Sequence, residues 1–201
     1  MPSAVDFYFD FSSPYGFLAS EKIEALAARH GRDVTWRPML LGVIFKQTGA
    51  APLTQIPLKG EYSRRDMVRS ARFHGIDGFR MPSTFPIATQ APARIVLWLQ
   101  IKEPSMTSKV VHAQYRAFFV DDIDISNPDN ATSVAARCGV DAVAARAAID
   151  DLEIKDALKK SNEQAIAAGA FGSPFIVVDG EPFWGMDRLD QVDRWLETGG
   201  W

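Results

Sequence analysis

Strand character is confined to the two ends of this chain. Val5 to Phe11, "VDFYFDF", carries the aromatic weight of a central strand, and Val34 to Arg37 reads as a second strand stopped by Pro38. Between them, Leu18, Ile23, Leu26 and Ala27 share one face of a helix expected from Pro14 to His30, and Gly31 stands where that helix would end. Strand signal then nearly vanishes for about a hundred residues. It returns at Phe175 to Val178, followed by an Asp179-Gly180 hairpin signal and a short partner, Pro182 to Trp184, whose proline marks an edge. A last helix is expected from about Asp187 to Leu196. The order βαβ, helices, ββα predicts one α/β domain interrupted by a helical insertion.

The stretch Lys46 to Tyr62, "KQTGAAPLTQIPLKGEY", reads as a long loop. Helical spacing follows over Ser63–Phe73, Ala91–Ile101, Thr107–Phe119, Asp129–Cys138, Asp141–Ile149 and Leu152–Ala168. The expected organisation is a discontinuous domain of residues 1–62 and 169–201 around an insertion of residues 63–168. A net charge of −3 argues against nucleic acid as a partner. No apolar run approaches the roughly 18 residues that span a bilayer, and no membrane partner is expected. The N-terminus shows no export signal, and Cys138 is alone, so no internal disulfide forms. The cytoplasm is the expected location.

Chemistry is concentrated where the first strand meets the first helix, at "FDFSSPYGFLAS". Ser13 stands at the helix start, where a serine caps a free backbone N–H. The same place offers a second role. A helix start favours anions and lowers thiol pKa values, so Ser13 would suit a thiolate brought by a ligand. A second motif, "AFGSPFIVVDGEPFWGMDRL", puts Ser173-Pro174 just before the returning strand. Pro174 is either an ordinary strand-start proline or a cis proline that turns the backbone of Ser173 toward a ligand. Arg65, Arg69 and Arg72 align at helical spacing, as a solvated face or as a carboxylate site. His30, His74 and His112 give no metal pattern, and Cys138 reads as a small core residue.

Taken in order, the Ser-Pro helix start, the helical insertion, Gly-Ser-Pro before a strand and Trp-Gly-Met-Asp-Arg resemble the thioredoxin-fold family of kappa-class glutathione transferases and 2-hydroxychromene-2-carboxylate isomerases. The resemblance covers essentially the whole chain and implies a DsbA-like thioredoxin fold. Disulfide oxidoreductase relatives carry Cys-x-x-Cys at this helix start. Here Ser13 and Gly16 stand in those places, so dithiol exchange is out of reach.

The resemblance implies glutathione as cofactor, with Ser13 on its sulfur and the backbone of Ser173, before Pro174, pairing with its cysteinyl part. It further implies that Trp184, Gly185, Met186 and Asp187 line the γ-glutamyl end, and that Lys59 meets an acidic end of glutathione or the substrate. Three positions depart from the family pattern: Ala50 and Ala88 replace asparagines, and Met186 a small polar residue. Backbone groups, Thr89 or Gln90 would have to compensate.

The activity implied is glutathione-dependent isomerisation of a 2-hydroxychromene-2-carboxylate-type substrate, an aromatic carboxylate of aromatic catabolism. Reversible thiolate addition opens the ring, and elimination gives the trans ring-opened benzylidenepyruvate. A kappa-class transferase or peroxidase shares every glutathione contact and stays open, as does a non-catalytic thioredoxin-fold binding module. A homodimer is expected by the same analogy.

Overall fold

A computed structural model describes residues 4–201. The first three residues of the expected domain lie outside the described ones. Four strands form one sheet in the order β2-β1-β3-β4, from β1 (Val5–Phe9), β2 (Val34–Pro38), β3 (Phe175–Val178) and β4 (Glu181–Trp184). The β1 strand runs parallel to β2, from Val5 opposite Val34 to Phe9 opposite Pro38, and antiparallel to β3, with Tyr8 opposite Phe175. The β4 strand is the edge that Pro182 predicts. This is a thioredoxin-like α/β fold with a helical insertion.

Side-chain alternation along β1 divides the core. Phe7 and Phe9 face helix α1 (Pro14–Arg29), helix α5 (Thr107–Phe119) and helix α9 (Leu189–Thr198), among Phe17, Ile23, Tyr115, Phe119 and Val192. Tyr8 faces the other way, onto Met39, Ile44 of α2 (Leu41–Thr48) and Ala165 of α8 (Leu152–Ala167). Each buried phenylalanine contributes roughly 1.5–3 kcal/mol, so the aromatic run "FYF" fixes this strand at the centre. Three further insertion helices, α4 (Gln90–Lys102), α6 (Pro128–Arg137) and α7 (Ala142–Asp150), enclose a second core of Ile95, Leu99, Val110 and Ala135. Cys138 is buried there, and burial pushes its thiol up.

Two elements differ from expectation. The loop predicted over Lys46–Tyr62 is shorter at both ends, because α2 runs to Thr48 and α3 (Lys59–Phe73) begins four residues before Ser63. The start of α2 has no local cap. The Leu41 N–H donates to the Asp10 carboxylate at 2.6 Å, and the Leu40 N–H to the Asn162 side chain at 2.7 Å. Caps from residues that distant leave no local sequence trace. Helix α3 is launched by Leu58 at φ 67°, where the Lys59 N–H bonds the Pro57 carbonyl at 2.8 Å. Helix α8 also leans on the sheet, since Ser161 donates to the Pro38 carbonyl at 2.6 Å.

Candidate functional site

The site forms where β1 ends. After Phe9 the chain leaves the ladder, and the Asp10 N–H donates to Ser173 Oγ at 3.1 Å. Ser13 then caps α1. Its Oγ accepts from the Gly16 N–H at 3.0 Å and donates to the Ser173 carbonyl at 2.8 Å. One hydroxyl therefore joins the helix start to the residue before Pro174, and the Ser173–Pro174 bond is cis. The N–H groups of Tyr15 and Ser173 have no partner among the described residues. They leave donors at a helix start, where an anion is favoured.

Gly16 is dictated by crowding. A Cβ there would lie 2.7 Å from Tyr115 Oη and 2.9 Å from Ser173 Oγ. Tyr115, fully buried on α5, donates its hydroxyl to the Asp10 carbonyl at 3.0 Å. The place where a second thiol would stand in a dithiol site is thus filled by Tyr115 from the insertion and by Ser173 from the turn before Pro174.

Asp10 holds the floor of the site together. Its buried carboxylate accepts from the Ser12 N–H at 2.7 Å, from Thr89 Oγ at 2.8 Å and from Leu41. Burial pushes its pKa up against those three hydrogen bonds. Sequence reasoning passed over Asp10 and Tyr115. The available signal was an acid ending an aromatic run, "FYFD", since a charge so placed is buried and must be paired. Thr89, one candidate to replace a lost amide, is buried and committed to Asp10. Ala88 is exposed beside this turn, because the neighbouring Ile87 N–H bonds Ser12 Oγ at 3.2 Å. Ala50 is exposed at the end of α2.

The second motif reaches the same place from the other side. The Gly185 N–H donates to the Pro174 carbonyl at 3.0 Å, which ties "WGMD" to the cis proline. Gly185 has φ 104° and ψ 155°, a conformation essentially restricted to glycine. Trp184 points outward from the edge strand, 52% exposed, its ring 4.7 Å from that of Phe171, an aromatic neighbour the sequence reading did not single out. Asp187 is exposed and paired with Arg188 at 2.7 Å. Met186 differs from these, because its side chain is 4% exposed in the main core, leaving only its backbone for a ligand. Lys59 opens α3, exposed and without an ion pair among the described residues.

Helix α3 is joined to the site through Tyr15, whose hydroxyl donates to Asp66 at 2.6 Å. Burial and then Asp66 push that phenol well above its ordinary value. Among the described residues, no group of three or more His, Cys, Asp or Glu is placed to hold a metal, and no helix is long and apolar enough to cross a membrane.

A family model of the DSBA-like thioredoxin domain matches residues 4–197. The 2-hydroxychromene-2-carboxylate isomerase of Sphingobium xenophagum is 28% identical over 204 residues, spanning 98% of this chain and 99% of that one. Glutathione S-transferase kappa 1 of Homo sapiens is 26% identical over 217 residues, spanning 98% and 94%. A solved structure of 2-hydroxychromene-2-carboxylate isomerase aligns with a TM-score of 0.84 at 22% identity, over 96% of this chain and 94% of that one, a likeness of fold. With the family model covering nearly every residue, the chain belongs to the DsbA-like thioredoxin-domain family.

Proposed function

We propose that this protein is a glutathione-dependent isomerase acting on 2-hydroxychromene-2-carboxylate-type aromatic carboxylates, with glutathione regenerated in each turnover. The observation that carries the reading is the bridge from Ser13 Oγ to the Ser173 carbonyl, set between two unpartnered N–H groups at a helix start that has no thiol of its own. Glutathione supplies a nucleophilic thiolate.

The residues suit it. The Ser173 N–H is free to donate, and its carbonyl has a second lone pair beside the one Ser13 uses. An amide of the peptide ligand that took over this carbonyl would release the Ser13 proton to turn toward sulfur. The Tyr15 N–H and the dipole of α1 favour negative charge in the same place. Trp184 and the backbone of Gly185 and Met186 form the wall for the γ-glutamyl end, where Asp187 accepts from an ammonium and Lys59 serves a carboxylate. The cytoplasmic location and the homodimer expected from sequence belong to this reading.

Titration of glutathione into the protein across pH, followed by the ultraviolet thiolate band, tests it directly. Ser13→Ala should raise the bound thiol's pKa by about one to two units, each unit being about 1.4 kcal/mol. Turnover should fall accordingly. An unchanged pKa and rate would remove Ser13 from the mechanism. Free glutathione recovered after turnover supports isomerisation, whereas a stable adduct or oxidised glutathione identifies a kappa-type transferase or peroxidase. Absence of binding at millimolar glutathione leaves a binding module.

A further inference from the structure

Helix α3 is the electropositive surface of an acidic protein. It carries five cations, Lys59, Arg64, Arg65, Arg69 and Arg72, against two acids, Glu61 and Asp66, in a chain of net charge −3. Spacing alone makes Arg65, Arg69 and Arg72 equivalent. Their contacts do not. Arg65 is spent on Glu61, with Nε donating at 2.9 Å, and both side chains are largely solvated. Arg72 has no ion pair among the described residues and nothing to organise it.

Arg69 is held. Its Nη2 donates to Asp66 Oδ1 and to Tyr62 Oη at 3.1 Å, and its guanidinium carbon lies 5.5 Å from the Tyr62 ring centroid. Asp66 in turn accepts from Tyr15, two residues past Ser13. The chain of contacts Ser13–Tyr15–Asp66–Arg69 thus fixes a guanidinium relative to the helix start. Only Nη2 is used, so the Nε–H and Nη1–H donors make no bond among the described residues. These donors lie on two edges of the guanidinium, and each can give a carboxylate oxygen a single charge-assisted hydrogen bond. Beside these donors, Tyr62 is 63% exposed and its ring offers an apolar surface to an aromatic body.

We infer that Arg69, oriented by Asp66 and Tyr62 and tied to α1 through Tyr15, binds the carboxylate of the aromatic substrate and makes this site selective for acids. This rests on the isomerase reading for the identity of the substrate, though not for the existence of the carboxylate site. Tyr15 and Asp66 act on the substrate only through Arg69 and are positioning residues.

The test compares wild type, Arg69→Gln, Arg65→Gln and Tyr15→Phe with the chromene carboxylate as substrate, and with the ring-opened benzylidenepyruvate and its methyl ester as binding probes. Arg69→Gln should raise KM about tenfold or more, the scale of a charge-assisted pair. It should weaken binding of the acid while leaving the ester and the bound-glutathione thiolate band unchanged. Arg65→Gln should behave as wild type. Tyr15→Phe should raise KM by a smaller factor with kcat largely kept. An Arg69→Gln enzyme with wild-type KM and wild-type acid binding overturns the inference, as does equal loss of acid and ester. Should wild type not turn over the chromene, the isomerase reading fails alone. Acid binding that still depends on Arg69 then upholds the carboxylate site, and binding indifferent to Arg69 overturns it.

Discussion

Helix α1 is polar in two places, and they follow opposite rules. At its start, Tyr15 and the neighbouring Ser173 leave N–H groups open, and the Ser13 hydroxyl is shared between two partners. About two to three turns further on, charge is closed up. Glu24 accepts from His112 at 2.8 Å and from Ser108 at 2.6 Å, and Glu21 pairs with Arg116 at 2.9 Å and with His112 across 3.8 Å. The His112 ring stands edge-on to Trp36 of β2. The closed cluster binds the insertion to the thioredoxin layer, and the open one leaves donors unpaired. A buried polar group without a partner costs free energy, so open donors persist where something outside the fold completes them.

The sharpest way to break this contrast is to fill the open end. Gly16→Val would push two methyl groups past a Cβ already 2.7 Å from Tyr115 Oη and 3.0 Å from Ser13 Cβ. Overpacking there should cost about 3 kcal/mol in urea unfolding and abolish the glutathione thiolate band. Gly16→Ala should cost less, and adding Tyr115→Phe should recover part of it, because the obstructing hydroxyl is gone while the Asp10 carbonyl keeps the Ser13 N–H. Additive losses in the double variant would show that Tyr115 does not set the space at position 16.

The two clusters differ as much in how legible they are. The open end is written locally: Ser13-Pro14 and Ser173-Pro174 are short motifs, and helix starts obey local rules. The strands, their order along the chain and all six insertion helices follow from periodicity in the same way, with only the start of α3 misplaced. The floor of the site does not. Asp10, Tyr115 and Thr89 meet from three separate elements, and α2 went unpredicted because its caps, Asp10 and Asn162, lie 31 and 122 residues away. His112 likewise had no local signal, since Glu21 and Glu24 reach it across 91 and 88 positions of chain. Met186 sat inside a recognisable motif, yet its burial depends on the packing of α9 against α1.

The closed cluster should announce itself through pH. Burial opposes charge on His112, but Glu21 and Glu24 outweigh it and raise the pKa from 6.5 to about 9. The hydrogen bond from His112 holds Glu24 below its ordinary 4.5, and His112 does the same for Glu21. A raised histidine stabilises fully below pH 6.5 and loses that contribution as pH climbs through 9. The lowered glutamates stabilise above 4.5 and lose it as pH falls through their depressed values. Stability from the cluster should therefore peak between about pH 4.5 and 6.5 and decline by about 2 kcal/mol toward pH 9, allowing for partial solvent screening. His112→Gln should flatten that alkaline limb in unfolding measured at pH 6 and pH 9. An unchanged slope would mean that the cluster contributes no net stabilisation.

The mildest probe returns to the open end and asks how much of its wall serves the ligand alone. Trp184 lies opposite Phe175 on the edge strand and points away from the core that its neighbour Phe183 fills. Its ring meets Phe171 at 60° between planes, a pair of the kind worth about 0.5–1.5 kcal/mol, and half of its surface faces solvent. Trp184→Ala should therefore cost less than about 1 kcal/mol of stability. If the wall beside Pro174 is there for a ligand, the same change should weaken glutathione several-fold, read by calorimetry, while the thiolate pKa, set at Ser13, stays put. A stability loss near 3 kcal/mol would instead place Trp184 with the closed, cohesive residues. Affinity left untouched would confine glutathione recognition to α1 and the cis-proline turn, because this indole has no core to hold together.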